Sequence, residues 1–275
     1  MDMDREHFLI SRLSSDYIGD DGAVADGYIY SADGFFEGTH FLKEWMTPSQ
    51  VGRKAMLVNI SDAIAMNADP LYALCVVSLP RDIDEEYISD MVEAMQNTAS
   101  EYGCEIIGGD TVAGAVISIS VTLVSESDSP LTRYGLREGD LLAYTGRLGE
   151  SARDLQRLIA GERIESDSRF YEPPLRREFV RKARLHLRAG MDISDGLYCD
   201  TNKLLDANST GMSESIHIAE EIGTSGEEYE MLVAFGEDER ENVQRVADEC
   251  RIPLTIFGRV EKNGFRYPCK SHHFG

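Results

Sequence analysis

Residues 17–41 read YIGDDGAVADGYIYSADGFFEGTHF, and this stretch predicts a β-hairpin with acidic residues at its open end. Apolar and small residues alternate on both sides of Asp26-Gly27, a dipeptide that suits a two-residue type I′ turn. Pairing continued outward from that turn sets Asp20 against Asp33, with Asp21 beside them. These acids have no Lys or Arg neighbour in the sequence, so something from elsewhere must offset their charge.

The composition describes a globular protein and argues against two kinds of partner. The 275 residues, 42% hydrophobic and 28% charged, suit two modest domains. A formal charge of −22 argues against nucleic acid, whose binding needs a basic patch. No apolar run approaches the roughly 20 residues that span a bilayer, and the start MDMDREHFLI does not resemble a signal peptide. We therefore expect a cytoplasmic protein that binds neither nucleic acid nor membrane.

The cysteines predict reduced, structural thiols rather than a disulfide framework or a zinc site. They are scattered, odd in number and without a CxxC pair. The five are Cys75, Cys104, Cys199, Cys250 and Cys269.

The first half of the chain predicts a strand–helix–strand alternation. A helix is expected over 47–67, because Thr47 and Gln50 form a capping-box pair and Asn67 can close the helix. Further elements follow in the order strand, helix, strand, strand, at 71–79, 84–102, 104–109 and 115–127, and the strand at 71–79 reads as a buried strand. The alternation favours a mixed sheet with helices.

Around residues 132–140 the pattern restarts, and we place a domain boundary there, giving domains 1–136 and 137–275. The second half predicts an α/β arrangement, with strands at 141–146, 228–236 and 254–260 and helices from 151, near 175–188, after 197 and over 237–250. The predicted fold class is α/β (α+β).

Asp62 is the most informative single residue. On the 47–67 helix it shares one face with Ala55 and Val58. An ionised carboxylate on an apolar stripe is costly unless it is paired or bound to a cation. The alternative is a core Asp that pairs with Arg53 or caps a neighbouring loop.

Other polar residues stand where predicted strands end or helices begin. Asp110 follows two glycines in IIGGDT, which is equally typical of a tight turn. Asp192 and Asp195 lie in MDISDGL, at a helix start whose free N–H groups favour phosphate oxygens, while ordinary capping by Ser194 and Asp195 explains them equally well. The glycines of TGRLGES (145–151) suit a phosphate cradle or an ordinary loop. His40 lies beside the hairpin acids, although a single histidine is usually structural.

The acids are numerous enough to predict a shared basin. Oxygen ligands of this type suit Mg²⁺, which commonly accompanies phosphate groups, so the opening acids are expected to be neutralised by Mg²⁺ bound with a nucleotide. No Walker loop, Rossmann fingerprint, GxSxG or HExxH occurs in the sequence. The acids are Asp20, Asp21, Asp33, Asp62, Asp110, Asp192 and Asp195.

An ordered series of motifs resembles the thiamine-monophosphate kinase family, over nearly the whole chain. The N-terminal motifs are shared with a wider superfamily that includes aminoimidazole ribonucleotide synthetase and selenophosphate synthetase, whereas EGTHF, MDISDGL and GEEYEML are more specific to the kinase. The motifs are GDDGAV (19–24), SADGFFEGTHF (31–41), GRKAMLVNISDAIAMNADP (52–70), GGDT (108–111), TGRLGES (145–151), MDISDGL (191–197) and GEEYEML (226–232).

The resemblance implies a two-domain synthetase-like fold whose N-terminal sheets join in a homodimer, and ATP-dependent conversion of thiamine phosphate to thiamine diphosphate by in-line transfer with several Mg²⁺ ions. It implies metal ligands at Asp21, Ser31, Ala32, Asp33, Asp62, Asp110, Asp192 and Asp195, of which Asp62, Asp110 and Asp192 carry catalysis. It implies nucleotide contacts at Gly109, Asp110, Arg133 and Ser194, and substrate contacts at His40 and Glu227.

Three positions depart from the family pattern. Ala32 replaces a hydroxyl residue, so its oxygen must be the carbonyl; Glu228 replaces the usual Asp; and Tyr267 is the stand-in for a C-terminal aromatic. Two alternatives remain. One is another ATP-using activity of the superfamily, and selenophosphate synthesis would want an N-terminal cysteine, whereas the first here is Cys75. The other is a non-enzymatic, acidic, cation-binding protein.

Overall fold

Two five-stranded sheets, one from each half of the chain, organise the computed structural model, which describes residues 5–269. The helices are α1 (Arg5–Ile10), α2 (Pro48–Ala65), α3 (Glu85–Glu101), α4 (Glu150–Ile159), α5 (Arg177–Ala183), α6 (Leu197–Ala207), α7 (Glu220–Gly223) and α8 (Arg240–Glu249). The strands are β1 (Ala23–Ala25), β2 (Tyr28–Phe36), β3 (Asp69–Pro80), β4 (Glu105–Gly114), β5 (Ser118–Glu126), β6 (Leu141–Thr145), β7 (Ala189–Asp192), β8 (Gly211–Glu214), β9 (Met231–Phe235) and β10 (Leu254–Glu261).

The first sheet has the order β1-β2-β5-β3-β4, and it is mixed because β3 and β4 run parallel while the other pairs are antiparallel. The predicted hairpin is present: Asp26 and Gly27 both have positive φ, 51° and 86°, as a type I′ turn requires. Its ladder ends at the Ala23–Tyr30 pair. Asp20 and Asp21 therefore lie in the loop before β1, and the prediction that Asp20 pairs with Asp33 on the ladder is wrong.

Helix α2 begins and ends as its sequence predicts. The Thr47 side chain accepts from the backbone N–H of Gln50, and the Gln50 side chain accepts in return from the Thr47 N–H. Asn67, at φ 54°, takes the left-handed conformation that follows the helix. Gly52 allows α2 to approach α3 closely, since a Cβ there would lie 2.1 Å from the carbonyl oxygen of Met91.

Two strand predictions need correction. β3 was expected to be buried throughout, but Tyr72, Leu74 and Val76 are exposed on one face while Ala73 and Cys75 are buried on the other. β4 does not end at Asp110 but continues to Gly114. One face of the first sheet packs on α2, and the β3 and β4 residues of the opposite face remain exposed.

The second sheet is antiparallel, in the order β7-β9-β6-β10-β8. The expectation that Ser194 caps the helix after MDISDGL is wrong, because Gly196, at φ 96°, occupies the N-cap position of α6. The two sheets fall on either side of the proposed boundary at 136, which stays a prediction.

Helix α2 joins the two halves, since it packs on β2 and β5 of the first sheet and also contacts β7 of the second. The backbone N–H of Leu131 donates to the carbonyl of Met66 at 3.0 Å, and Asp69 pairs with Arg177 and Arg181. The carboxyl end of β7 and the Glu227 loop also contact α2 directly, through the Ser61–Asp192 hydrogen bond and the Lys54–Glu227 ion pair.

The expectation of reduced thiols is wrong for one pair of cysteines, because Cys199 and Cys269 form a disulfide. Cys75, Cys104 and Cys250 are free. Across the part of the chain that is described, none of the helices combines the length and the apolar character needed to cross a bilayer.

Candidate functional site

Three carboxylates from three separate segments converge where α2 meets the second sheet. Asp21 lies in the loop before β1, Asp62 lies in the last turns of α2, and Asp192 ends β7. One oxygen of each lies within 4.8 Å of the others. Their approach is fixed across the two halves by the Ser61 hydroxyl, which donates to Asp192 Oδ2 at 2.5 Å.

The electrostatics of this trio are unfavourable without a cation. Burial raises the pKa of Asp62 well above its usual range, and the charges of Asp33, Asp192 and Asp21 raise it further. Burial likewise raises the pKa of Asp192, with Asp21 as the next cause. Carboxylates that resist ionisation because they crowd together are the ones that a divalent cation stabilises most.

Two buried oxygens at this site lack a hydrogen-bond partner among the described residues: Asp21 Oδ2 and Ser31 Oγ. Buried polar atoms are normally satisfied, so these two oxygens are candidate ligand atoms for a cation. Asp33 is two residues along β2 from Ser31, and its backbone N–H donates to Asn59 Oδ1 at 2.9 Å. Ala32, between them, is exposed.

Arg133 contacts the loop before β1 that carries Asp20 and Asp21. Its guanidinium pairs closely with Asp21, and its backbone N–H donates to Asp20 at 3.1 Å. Burial raises the pKa of Asp20 to about 6, with the Asp21 charge as the second cause. The structure thus brings the predicted nucleotide contact Arg133 to the same loop as the predicted metal ligand Asp21.

Asp195 is not one of the three converging carboxylates and is paired with a lysine instead. Lys203 of α6 pairs with Asp195 and, at 3.0 Å, with Asp200. The Asp195 backbone N–H donates to Asp200 Oδ2 at 3.0 Å. Burial raises the pKa of Asp200 to about 6. Sequence reasoning missed Asp200 and Lys203, although their i, i+3 spacing on a helix was a usable signal.

The GEEYEML loop enters the site from the second half. Glu227 and Tyr229 both have positive φ, 54° and 52°, a conformation that is rare for residues other than glycine. The Glu227 N–H donates to the Ser194 carbonyl at 2.7 Å, and the Tyr229 N–H donates to the Ile193 carbonyl at 2.8 Å. Burial raises the pKa of Tyr229 well above its usual range, followed by the charges of Glu227, Asp33, Asp192 and Asp62, so this phenol lies against the acids.

The segment 145–151 is not an open phosphate cradle. Glu228 Oε1 accepts from the backbone N–H groups of Gly149 and Ser151, at 2.8 and 3.1 Å, and its other oxygen pairs with Arg169 at 3.0 Å. A buried carboxylate of the protein therefore takes the position at the start of α4 that a phosphate would need.

His40 lies near the aromatic residues of β2 rather than against the trio. Its Nδ1 accepts from the Phe36 N–H at 3.0 Å, and its ring centroid lies 5.7 Å from that of Phe35. The half-buried imidazole is thus fixed at the end of the hairpin.

Gly109 and Asp110 lie away from the other predicted residues. Gly109 has φ 150° and passes so close to β3 that a Cβ would sit 1.7 Å from the Cys75 carbonyl. Asp110 is exposed and pairs in the ladder with Val76, which belongs to the exposed face of the sheet. Within one chain, Asp110 is not brought together with Asp21, Asp62 and Asp192.

Comparison with known proteins matches both halves of the chain. Residues 19–126 match the N-terminal domain of AIR synthase related proteins, and residues 137–267 match their C-terminal domain. The chain is 31% identical to thiamine-monophosphate kinase of Aquifex aeolicus over 271 residues, which covers 91% of this chain and 88% of that protein. It is 29% identical to thiamine-monophosphate kinase of Rhodopirellula baltica, covering 88% and 82%.

A solved structure, AaThiL complexed with AMPPCP and TMP, superposes with a TM-score of 0.86 at 26% identity, covering 98% of this chain and 96% of that one. The likeness therefore extends over both sheets and the site between them.

Proposed function

The chain belongs to the thiamine-monophosphate kinase family of AIR synthase related proteins, and from that premise we propose that it transfers the γ-phosphoryl group of ATP to thiamine phosphate, forming thiamine diphosphate and ADP. The observation that carries the proposal is the convergence of the Asp21, Asp62 and Asp192 carboxylates from both halves of the chain. Relatives named for this activity, and a similar structure complexed with AMPPCP and TMP, support it.

The residues at the site fit Mg²⁺, because the donor set consists of oxygen atoms and two of them, Asp21 Oδ2 and Ser31 Oγ, are buried without a partner among the described residues. When bound, Mg²⁺ would neutralise the acids and the phosphate charge that develops during transfer. Within one chain the proposed ligands are Asp21, Ser31, the Ala32 carbonyl, Asp33, Asp62, Asp192 and Asp195, whereas Asp110, also a proposed ligand, could join them only from a second copy of the chain.

The side chains of the protein bind and orient the reactants. The acceptor is a phosphate oxygen that is already ionised near neutral pH, so no general base is needed. Arg133 offers the positive charge nearest to the trio, and together with Ser194 and Gly109 it forms the proposed nucleotide contacts. His40 and Glu227 hold thiamine phosphate from opposite halves of the chain, which places the acceptor across the seam that carries the carboxylates.

We further propose a homodimer through the open face of the first sheet. Tyr72, Leu74 and Val76 of β3 and Ile107 and Val112 of β4 are each 41–54% exposed, and together they form an apolar face that no helix within residues 5–269 covers. Pairing of two copies would bury this face and would bring Asp110 to the interface. Sedimentation equilibrium should give about twice the 30.6 kDa chain mass; a monomer at micromolar concentration would contradict the dimer without affecting the kinase proposal.

The kinase proposal is tested by incubating the purified protein with ATP, Mg²⁺ and thiamine phosphate and separating the products by chromatography. Equal amounts of ADP and thiamine diphosphate are expected. ADP release with a different acceptor from a superfamily panel would move the assignment to another synthetase-type activity. Mg²⁺ binding without nucleotide affinity would favour the non-enzymatic alternative. The cytoplasmic location stays a prediction.

A further inference from the structure

Lys54 is a fully buried lysine, and it contacts a residue from the other half of the chain. It lies on α2 two turns before Asp62, on the same face of the helix because the two positions differ by eight residues. Its Nζ lies 2.7 Å from Oε2 of Glu227. Burying an ammonium group costs free energy unless the group is paired. The ion pair with Glu227 therefore accounts for a fully buried lysine at this position.

The surroundings of the ammonium are aromatic. Nζ lies 4.1 Å from the ring centroid of Phe170 and 5.6 Å from that of Phe35, both within the range of a cation–π interaction. The Phe35 ring in turn packs near the His40 ring, with centroids 5.7 Å apart. Lys54 therefore contacts Glu227 directly and His40 through one intervening ring, and these are the two proposed substrate residues.

Glu227 is fixed from two directions. Its backbone has the unfavourable positive φ and is held by the hydrogen bond to the Ser194 carbonyl. Its side chain, 25% exposed, is held by Lys54, which is not exposed at all. A carboxylate with one oxygen bound to a rigid cation has a single orientation, and its second oxygen is the one that a substrate can reach.

We propose that Lys54 is a positioning residue for thiamine phosphate, which acts by holding the Glu227 carboxylate in the orientation that binds this substrate. The inference rests on the proposed function, which it deepens. Without the ammonium, the carboxylate would face the apolar rings of Phe170 and Phe35 with its charge uncompensated, and it would turn toward water instead. Binding of thiamine phosphate should then weaken, while the nucleotide, held by other residues, should bind as before.

The test measures binding as well as turnover. Calorimetry with thiamine phosphate, in the presence of Mg²⁺ and AMPPCP, should show at least a tenfold weaker Kd for Lys54→Met than for the wild type, and the KM for thiamine phosphate should rise equally. The affinity for AMPPCP should stay within about twofold, which also verifies that the variant is folded. Lys54→Arg, which keeps the charge, should restore part of the affinity. The matched control is Lys43→Met, because Lys43 is exposed over the ring of Tyr87 and should leave both affinities unchanged.

The double variant decides whether Lys54 acts through Glu227. If it does, Lys54→Met combined with Glu227→Gln should lose no more affinity than Glu227→Gln alone. Additive losses, or an unchanged Kd in Lys54→Met, would overturn the inference and leave the kinase proposal intact. A wild-type protein that binds no thiamine phosphate would overturn both. If Lys54→Met fails to fold, an equal loss of thiamine phosphate and AMPPCP affinity in Lys54→Arg would overturn the positioning role.

Discussion

Asp62 shows how a single side chain can be unfavourable for folding and still stand at the centre of a candidate site. The helix face around it is apolar, and burial together with three neighbouring acids raises its pKa. The repulsion in such an arrangement is relieved either by protonation of the carboxyl groups or by a bound cation. The sequence alone indicated this residue, because the 3.6-residue period placed a carboxylate where the core should be.

Asp62→Asn should lower kcat at least a hundredfold, because the amide cannot supply the anionic ligand and the lost electrostatic stabilisation is of the order seen for single catalytic donors. The measurement is ADP release at saturating substrates. Asp90→Asn is the matched control, since Asp90 is an exposed residue of α3 and should leave kcat unchanged. Equal rates in the two variants would remove Asp62 from the site.

Thermal stability should depend on pH and Mg²⁺ together. Burial and neighbouring acids raise the pKa of Asp62 and Asp192, and raise that of Asp20 to about 6. A raised carboxyl pKa means that the folded protein holds the proton more tightly than the unfolded chain does, so this stabilisation is present at low pH and is lost as pH rises through the folded-state value. Mg²⁺ binds the ionised carboxylates, so adding Mg²⁺ should raise the Tm of the protein more at pH 8 than at pH 5.

The control for this pH experiment is Asp62→Asn, in which the difference between the two Mg²⁺ gains should shrink. A Mg²⁺ effect of the same size at both pH values in the wild type would contradict the linkage between the raised pKa values and the metal site.

At the scale of elements, the sequence correctly predicted the features that depend on neighbouring residues. The Asp26-Gly27 turn and the capping box of α2 lie where the sequence placed them, because both depend on neighbouring residues only. The sequence did not predict the full length of β4, because a strand extends as far as its partner strand allows. It also did not predict the start of α6, because the chain turns against residues 223–225 and Gly196, not Ser194, takes the N-cap position.

Glu228 links the loop of residues 226–230 to the first turn of α4, and the length of its side chain determines which contacts it can make. Glu228→Asp removes one methylene, so the carboxylate should lose part of its contacts with Gly149, Ser151 and Arg169, at a cost of about 1–3 kcal/mol in unfolding free energy. Urea denaturation measures this loss of unfolding free energy. Glu241→Asp, at an exposed position of α8, should change stability by less than about 0.5 kcal/mol. Equal stability of Glu228→Asp and the wild type would show that the loop adapts.

At the scale of the whole molecule, some contacts join residues far apart in the chain, and sequence patterns do not predict them. The disulfide joins residues 70 positions apart, and nothing in the cysteine spacing indicated it. The same holds for Lys54, whose partner is 173 positions away. Both contacts depend on how the halves and the C-terminal segment pack, which no local period encodes. The trio was predictable as a set of acids, whereas the separation of Asp110 from it was not.

The disulfide should stabilise the fold by about 2–4 kcal/mol, because it closes a long loop. It acts together with the stacking of Tyr267 on Tyr198, whose ring centroids are 4.0 Å apart. Cys269→Ser should lower Tm, and dithiothreitol should lower the Tm of the wild type but not that of the variant. Cys250→Ser is the control, since Cys250 is a free thiol. A wild-type Tm that does not respond to the reductant would contradict the tether.

Because the carboxylate trio draws two members from the first half of the chain and one from the second, the seam between the halves has consequences for genetics. A substitution such as Asp69→Ala, which removes the partner of Arg177 and Arg181, touches none of the trio and yet weakens one contact between the halves. Such a substitution should reduce function only modestly on its own, and second-site changes that restore the contact should map to the facing half of the gene rather than near the original substitution.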